Sequence, residues 1–222
     1  MGSPHRSSLI GSLWLCLLPY FVQAQARPRA VASSNNCLCW QPGRRLTWGD
    51  FRAPECYGDC SHYASLTAAA TAARIPIVGF VDGQGRADYR VSCVFRRDSS
   101  WVNPSVTAAA DRAGTLAHEQ VHFDTAELVA RKIRRCVAEH RAAGDDLFGS
   151  AVVAEIQCLL DEYAALGALY DDEVNFRTPA VEAAAQRRWT LRVARELRAL
   201  APTGPPPPPA LIDSFKIIIV FP

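Results

Sequence analysis

From Val106 to about His140 no proline intervenes, and alanine, leucine, glutamate and arginine dominate, which predicts one long helix. Asn103 or Ser105 stands where its cap belongs, Pro104 is tolerated in the first turn, and Gly144 in "RAAGDD" supplies a stop. A second helix is predicted from about Ser150 to Leu169, where Val152, Ile156, Leu159, Tyr163 and Leu166 keep the helical repeat. A third runs from about Thr178 to Leu200, opened by Pro179 and carrying Val181, Trp189, Val193 and Leu197.

Upstream of these helices the period shortens. "ADYRVSCVFRR" alternates as a strand does, with Tyr89, Val91, Cys93 and Phe95 on one face. "LTWGDF" sets Leu46, Trp48 and Phe51 around a Gly-Asp turn, and "APECYGDCSH" reads as a loop tied by cysteines. Short strands followed by three helices predict an α+β fold with a small N-terminal sheet region.

The two ends differ in kind from the middle. His5 and Arg6 precede an apolar run from Leu9 to Val22, and Ala24-Gln25-Ala26 follows as a small-x-small cleavage pattern. Residues 1–26 are therefore expected to be a signal peptide cut after Ala26, exporting the protein to a secreted or periplasmic location. With Pro19 inside it, the run is short for a membrane span. Residues 27–45 read as a linker and cysteine-containing lead-in, and 46–201 as the functional domain. Residues 202–222 are expected to be a tail in which a proline run, either extended as polyproline II or without order, precedes the short apolar "IIIVF".

Composition adds mainly exclusions. A net charge of +2 over 222 residues gives no electrostatic case for nucleic acid or an acidic membrane surface. Arg131, Lys132, Arg134 and Arg135 alternate with apolar positions and read as a solvated helix face. Removal of the signal leaves Cys37, Cys39, Cys56, Cys60, Cys93, Cys136 and Cys158. In an exported chain these are expected to form disulfides, with Cys136–Cys158 a candidate staple between helices. Cys56-x3-Cys60 with His62 nearby is read the same way in preference to zinc.

The chemistry concentrates in "LAHEQVHF", Leu116 to Phe123. On a helix, His118 and His122 share one face a turn apart and present two imidazole nitrogens to one Zn²⁺. Glu119 projects about 100° round the helix from His118, beside that ion, where a carboxylate accepts a proton from water and returns it to a leaving amine. With five histidines in the chain, chance produces this pattern at a rate on the order of half a percent.

"LAHEQVHFDTAELVARKIRR" resembles the central motif of a family of uncharacterised bacterial secreted proteins described as predicted secreted zinc-dependent proteases. The resemblance takes in "LTWGDF", "SSWV" (Ser99 to Val102), "LYDDEVNF" (Leu169 to Phe176) and "AQRRW" (Ala185 to Trp189), roughly Leu46 to Leu200. It implies a zincin-like fold around the active helix, a zinc cofactor and a peptide or protein substrate. By analogy with other zinc proteases, that substrate is expected to bind as an extended strand along a sheet edge.

A catalytic zinc takes three protein ligands and a water. Glu127, five residues past His122, points too far round the helix to be one of them. In the family motif that "LYDDEVNF" resembles, a tyrosine–aspartate pair is followed by a threonine and a histidine; here those later positions are Val174 and Phe176. Asp171 is the expected third ligand and Glu155 the next candidate, with Glu162, Asp172 and Glu173 as further acids. Tyr170 is read either as a hydrogen-bond donor to a reacting oxyanion or as a buried tyrosine at a helix–loop junction. The resulting expectation is a secreted zinc metallopeptidase with Glu119 catalytic and His118, His122 and Asp171 on the metal. The rival, favoured by Phe176, is an exported metal-binding or structural module without catalysis.

Overall fold

A computed structural model describes residues 36–54, 69–103, 109–175 and 179–200. Expectations for the signal peptide, Cys56, Cys60, His62, Phe176, Pro104 to Val106 at the start of the first helix and the proline-rich tail fall outside those residues. Among the described residues the order is β1 (Cys37–Cys39), a 3-10 turn (Trp48–Asp50), β2 (Ala69–Ala70), β3 (Ala73–Arg74), β4 (Ile77–Val81), β5 (Ala87–Val91), β6 (Val94–Arg96) and β7 (Trp101–Val102). The helices α1 (Ala109–Ala143), α2 (Ser150–Val174) and α3 (Pro179–Ala199) follow. The fold is α+β. No helix among the described residues is long and apolar enough to cross a membrane.

The strands form three small antiparallel sets: β1-β6-β3, β2-β7 and the β4-β5 hairpin. The predicted single strand over 87–97 is thus two strands in different sheets. The break falls at Ser92-Cys93, where the Ser92 N–H donates to the Pro76 carbonyl and the Cys93 carbonyl accepts from Trp40 N–H. Residues 37–39 of the expected lead-in pair with β6, so ordered packing begins before Leu46.

Among the described residues α1 contributes to both apolar clusters. One side, with Phe123, Ala126, Val129, Ala130, Ile133 and Val137, packs with Leu38, Val91 and Phe95 of the strands and Val152 and Ile156 of α2. On another side Val121 and Leu128 meet Tyr170 and Val174 of α2 and Ala185, Trp189, Val193 and Leu197 of α3. Burying an aliphatic or aromatic side chain of this size stabilises by about 1.5–3 kcal/mol. Val181, expected on the buried face of α3, is exposed, and the apolar stripe starts instead at Ala185.

Gly144 ends α1 as expected, with φ +81°. Its N–H donates to Arg141 O and the Asp145 N–H to His140 O, the two bonds of a Schellman cap. α2 then runs back along α1 and continues one turn past the predicted end at Leu169. The acids at Asp171 to Glu173 oppose the dipole at a helix C-terminus. Tyr170 and Val174, both buried, extend the stripe from Leu166 and outweigh that penalty.

The basic stretch of α1 is a solvated face only in part: Arg135 is exposed, as expected, but Arg131 and Arg134 turn inward. Arg131 is buried and Arg134 partly so; both donate to Glu127 Oε1, at 2.8 and 2.7 Å. Arg131 also donates to the carbonyls of Leu197 and Leu200, capping the end of α3, while Arg134 reaches Val91 O. Glu127 thus orients two arginines that bind α1 to α3 and β5. Lys132 pairs with Glu162. Cys39, Cys93, Cys136 and Cys158 carry free thiols, and the expected Cys136–Cys158 staple is not formed. Cys136 is buried with its sulfur within 4.8 Å of a Glu155 oxygen, whereas Cys158 lies on the exposed side of α2.

Candidate metal centre

The described part of α1 has completed two turns when it reaches His118, and the i, i+4 spacing brings both imidazoles to the side facing the end of α2. His118 Nε2 and His122 Nε2 lie 3.1 Å apart. Asp171 Oδ1 lies 3.1 Å from the first and 3.0 Å from the second. Three ligand atoms from two helices therefore form a nearly equilateral triangle. Asp171 is about half exposed, at 47%, and both histidines are partly open, so solvent reaches the triangle.

Hydrogen bonding alone satisfies this arrangement poorly. If both Nε2 atoms donate to Oδ1, two N–H groups face each other across 3.1 Å. If one ring accepts from the other, its lone pair is set against the carboxylate. A cation shared by all three atoms removes the conflict. Ligand atoms about 2.0–2.1 Å from a tetrahedral zinc lie about 3.3 Å apart, close to the edges seen here.

Burial disfavours the charged form of His122, but the Asp171 hydrogen bond and the charges of Glu119 and Asp171 outweigh it and raise its pKa. Asp171 moves the other way: burial opposes ionisation, but the hydrogen bonds and charges of the two histidines hold it well below the ordinary carboxylate range. Glu119 is only 4% exposed, and its charge acts on both His122 and Tyr170.

No family model matches the chain, and no curated protein or solved structure matches it.

The remaining acids lie elsewhere. Glu155 bonds His140 at the far end of α1, Glu162 pairs with Lys132, and Glu173 accepts from Trp189 Nε1 at 2.9 Å. Asp172 follows Asp171 on α2 and is not grouped with the two histidines. Tyr170 is fully buried in a helix. Its ring stacks on His118, and its hydroxyl donates to Gln186 Oε1 and lies 3.4 Å from His118 O. Burial, with the charges of Glu119 and Asp171, drives its pKa far up despite the Gln186 bond. The Tyr170 hydroxyl is thus engaged within the protein.

Two glutamines were not foreseen. Gln186 Nε2 donates to Ala117 O at 3.2 Å, tying α3 to the start of the motif. Gln120, inside the motif, accepts from Leu46 N–H at 2.7 Å and donates to Asp124 Oδ1 at 2.8 Å, anchoring the "LTWGDF" segment to α1. The spacing of Gln120 to Asp124, i and i+4 on one helix, was the available signal for the second bond.

Proposed function

We propose that the protein is a secreted zinc-dependent peptidase, zincin-like around its active helix. The observation that carries this reading is the convergence of His118, His122 and Asp171 beside Glu119. The three residues would hold zinc through two imidazole nitrogens and one carboxylate oxygen, leaving a position for water or substrate. Zinc in such a site supplies Lewis acidity, polarising a carbonyl and lowering the pKa of water toward about 7.

The chain's own groups supply the rest. Glu119, shielded from bulk solvent and fixed to the same helix as the ligands, takes a proton from the attacking water and delivers it to the leaving amine. Asp171 brings α2 against α1 and holds the imidazoles in register. Tyr170 stacks on His118 and limits its rotation. The open side of the triangle admits an extended peptide.

Metal content and Glu119→Gln test the reading together. Zinc reconstitution should give bound metal that depends on His118 and His122, and Glu119→Gln should lower peptide cleavage by about 10²–10⁴-fold while retaining that metal. A protein that takes up no zinc there overturns the proposal. Zinc bound there with cleavage absent, or indifferent to Glu119→Gln, points to an exported metal-binding module without this catalysis.

A further inference from the structure

The face of α1 that carries His118 and His122 repeats its pattern once. Cys136 and His140 come eighteen residues later, which is five whole turns, so they look out on the same side about 27 Å along the helix. Because α2 runs antiparallel there, its beginning meets them as its end meets the first pair. One carboxylate again stands beside both members. Glu155 Oε2 lies 2.9 Å from His140 Nε2, and the Cys136 sulfur comes close to the same carboxylate. The ligand atoms of Cys136, His140 and Glu155 all lie within 4.8 Å of one another.

A fourth residue completes the arrangement. Asp145, one position past the glycine that ends α1, places Oδ2 2.7 Å from His140 Nδ1. A carboxylate on that nitrogen fixes the ring with Nε2 aimed at Glu155 and Cys136, which is how metal-bound histidines are ordinarily supported. The sulfur is buried and Glu155 is exposed, so the cluster has a closed inner side and an approach from solvent.

We propose that Cys136, His140 and Glu155 form a second metal site, taking a divalent ion of the zinc class, with Asp145 orienting His140. A sulfur, a nitrogen and a single carboxylate oxygen suit zinc and its borderline neighbours and disfavour calcium or magnesium, which require oxygen ligands. Binding releases the Cys136 proton to solvent as the sulfur takes the ion. The site stands apart from His118, His122 and Asp171 and is independent of proteolysis.

Cobalt distinguishes the two sites, because a thiolate-to-cobalt charge-transfer band requires sulfur and the first site has none. Co²⁺ titrated into the metal-free full chain should produce such a band, which zinc then removes by displacement. Glu155→Gln, an exposed change, should weaken the ion's binding at least tenfold, and Asp145→Asn about 10–100-fold. Cys136→Ser should abolish the band, and His118→Ala should leave it. Absence of the band at saturating cobalt overturns the proposal. So does a band unmoved by both Glu155→Gln and Asp145→Asn, whose sulfur must come from elsewhere. Should Cys136→Ser fail to fold, those two shifts decide.

Discussion

The ring of Tyr170 lies on the ring of His118, centroids 4.6 Å apart and planes 22° from parallel, and the residue that follows Tyr170 is Asp171. The side chain that steadies one imidazole and the one that bridges both are therefore delivered by a single turn of α2. Tyr170→Phe keeps the stack and deletes the hydroxyl. Its expected effect is a loss of about 1–2 kcal/mol in urea unfolding, with zinc affinity unchanged. Tyr170→Leu removes the ring, and zinc affinity measured against a competing chelator should fall about tenfold. Equal losses of affinity in the two variants would shift the role to the hydroxyl.

Asp171→Ala should cost the first site its zinc under a chelator challenge that the unaltered chain withstands. Glu173→Gln, two residues along, is the control: its partner is Trp189, and zinc should stay bound. Loss of the ion in both variants would mean that α2 as a whole, rather than the Asp171 oxygen, had been disturbed.

Arg131 joins a buried ion pair to the last carbonyls of α3. Arg131→Met should destabilise by about 3 kcal/mol, because Glu127 keeps only Arg134 and those carbonyls lose their donor. Hydrogen exchange should quicken in the last turn of α3 before it does so in α1. Uniform quickening would argue against a local clasp.

Asp50 fixes the segment anchored by Gln120. Burial works against its charge, but the Thr47 N–H and hydroxyl bonds and the Arg44 guanidinium outweigh it and lower its pKa; Arg97 also pairs with it. With a depressed folded-state pKa, its stabilisation is fully present above the unfolded value of about 3.9 and is lost as pH falls through the folded one. Thermal scans below pH 4 should therefore show a steeper decline for the unaltered protein than for Asp50→Asn, which begins about 3 kcal/mol less stable at neutrality. Parallel declines would remove Asp50 from the account of acid lability.

The helices were legible because one residue period decides them: α2 starts at Ser150 and α3 closes beside Leu200 as expected. The end of α2 was misjudged because three acids at its C-terminus oppose the dipole, and only packing against α1 and α3 overrides that. The strands were legible in character but not in partition, since Ser92 and Cys93 alternate correctly while their backbone groups bond outside the ladder. At the site, His118, Glu119 and His122 follow from spacing along one helix. Asp171 was chosen among several acids, and the structure sets it beside the histidines while placing Glu155 at the opposite end of α1. The stack of Tyr170 on His118 and the bonds of Gln186 depend on how three helices dock, which no local pattern encodes.

His122 and Asp171 are 49 positions apart along the chain and come within 3.0 Å only after α2 has folded back on α1. An ion held between them would act as a latch on that helical hairpin, closed only once it has formed. Its apparent affinity would then contain the free energy of docking the helices. A substitution far from the ligands that loosens the hairpin would register first as weaker zinc binding, so metal retention would serve as a sensitive gauge of whether the protein has folded.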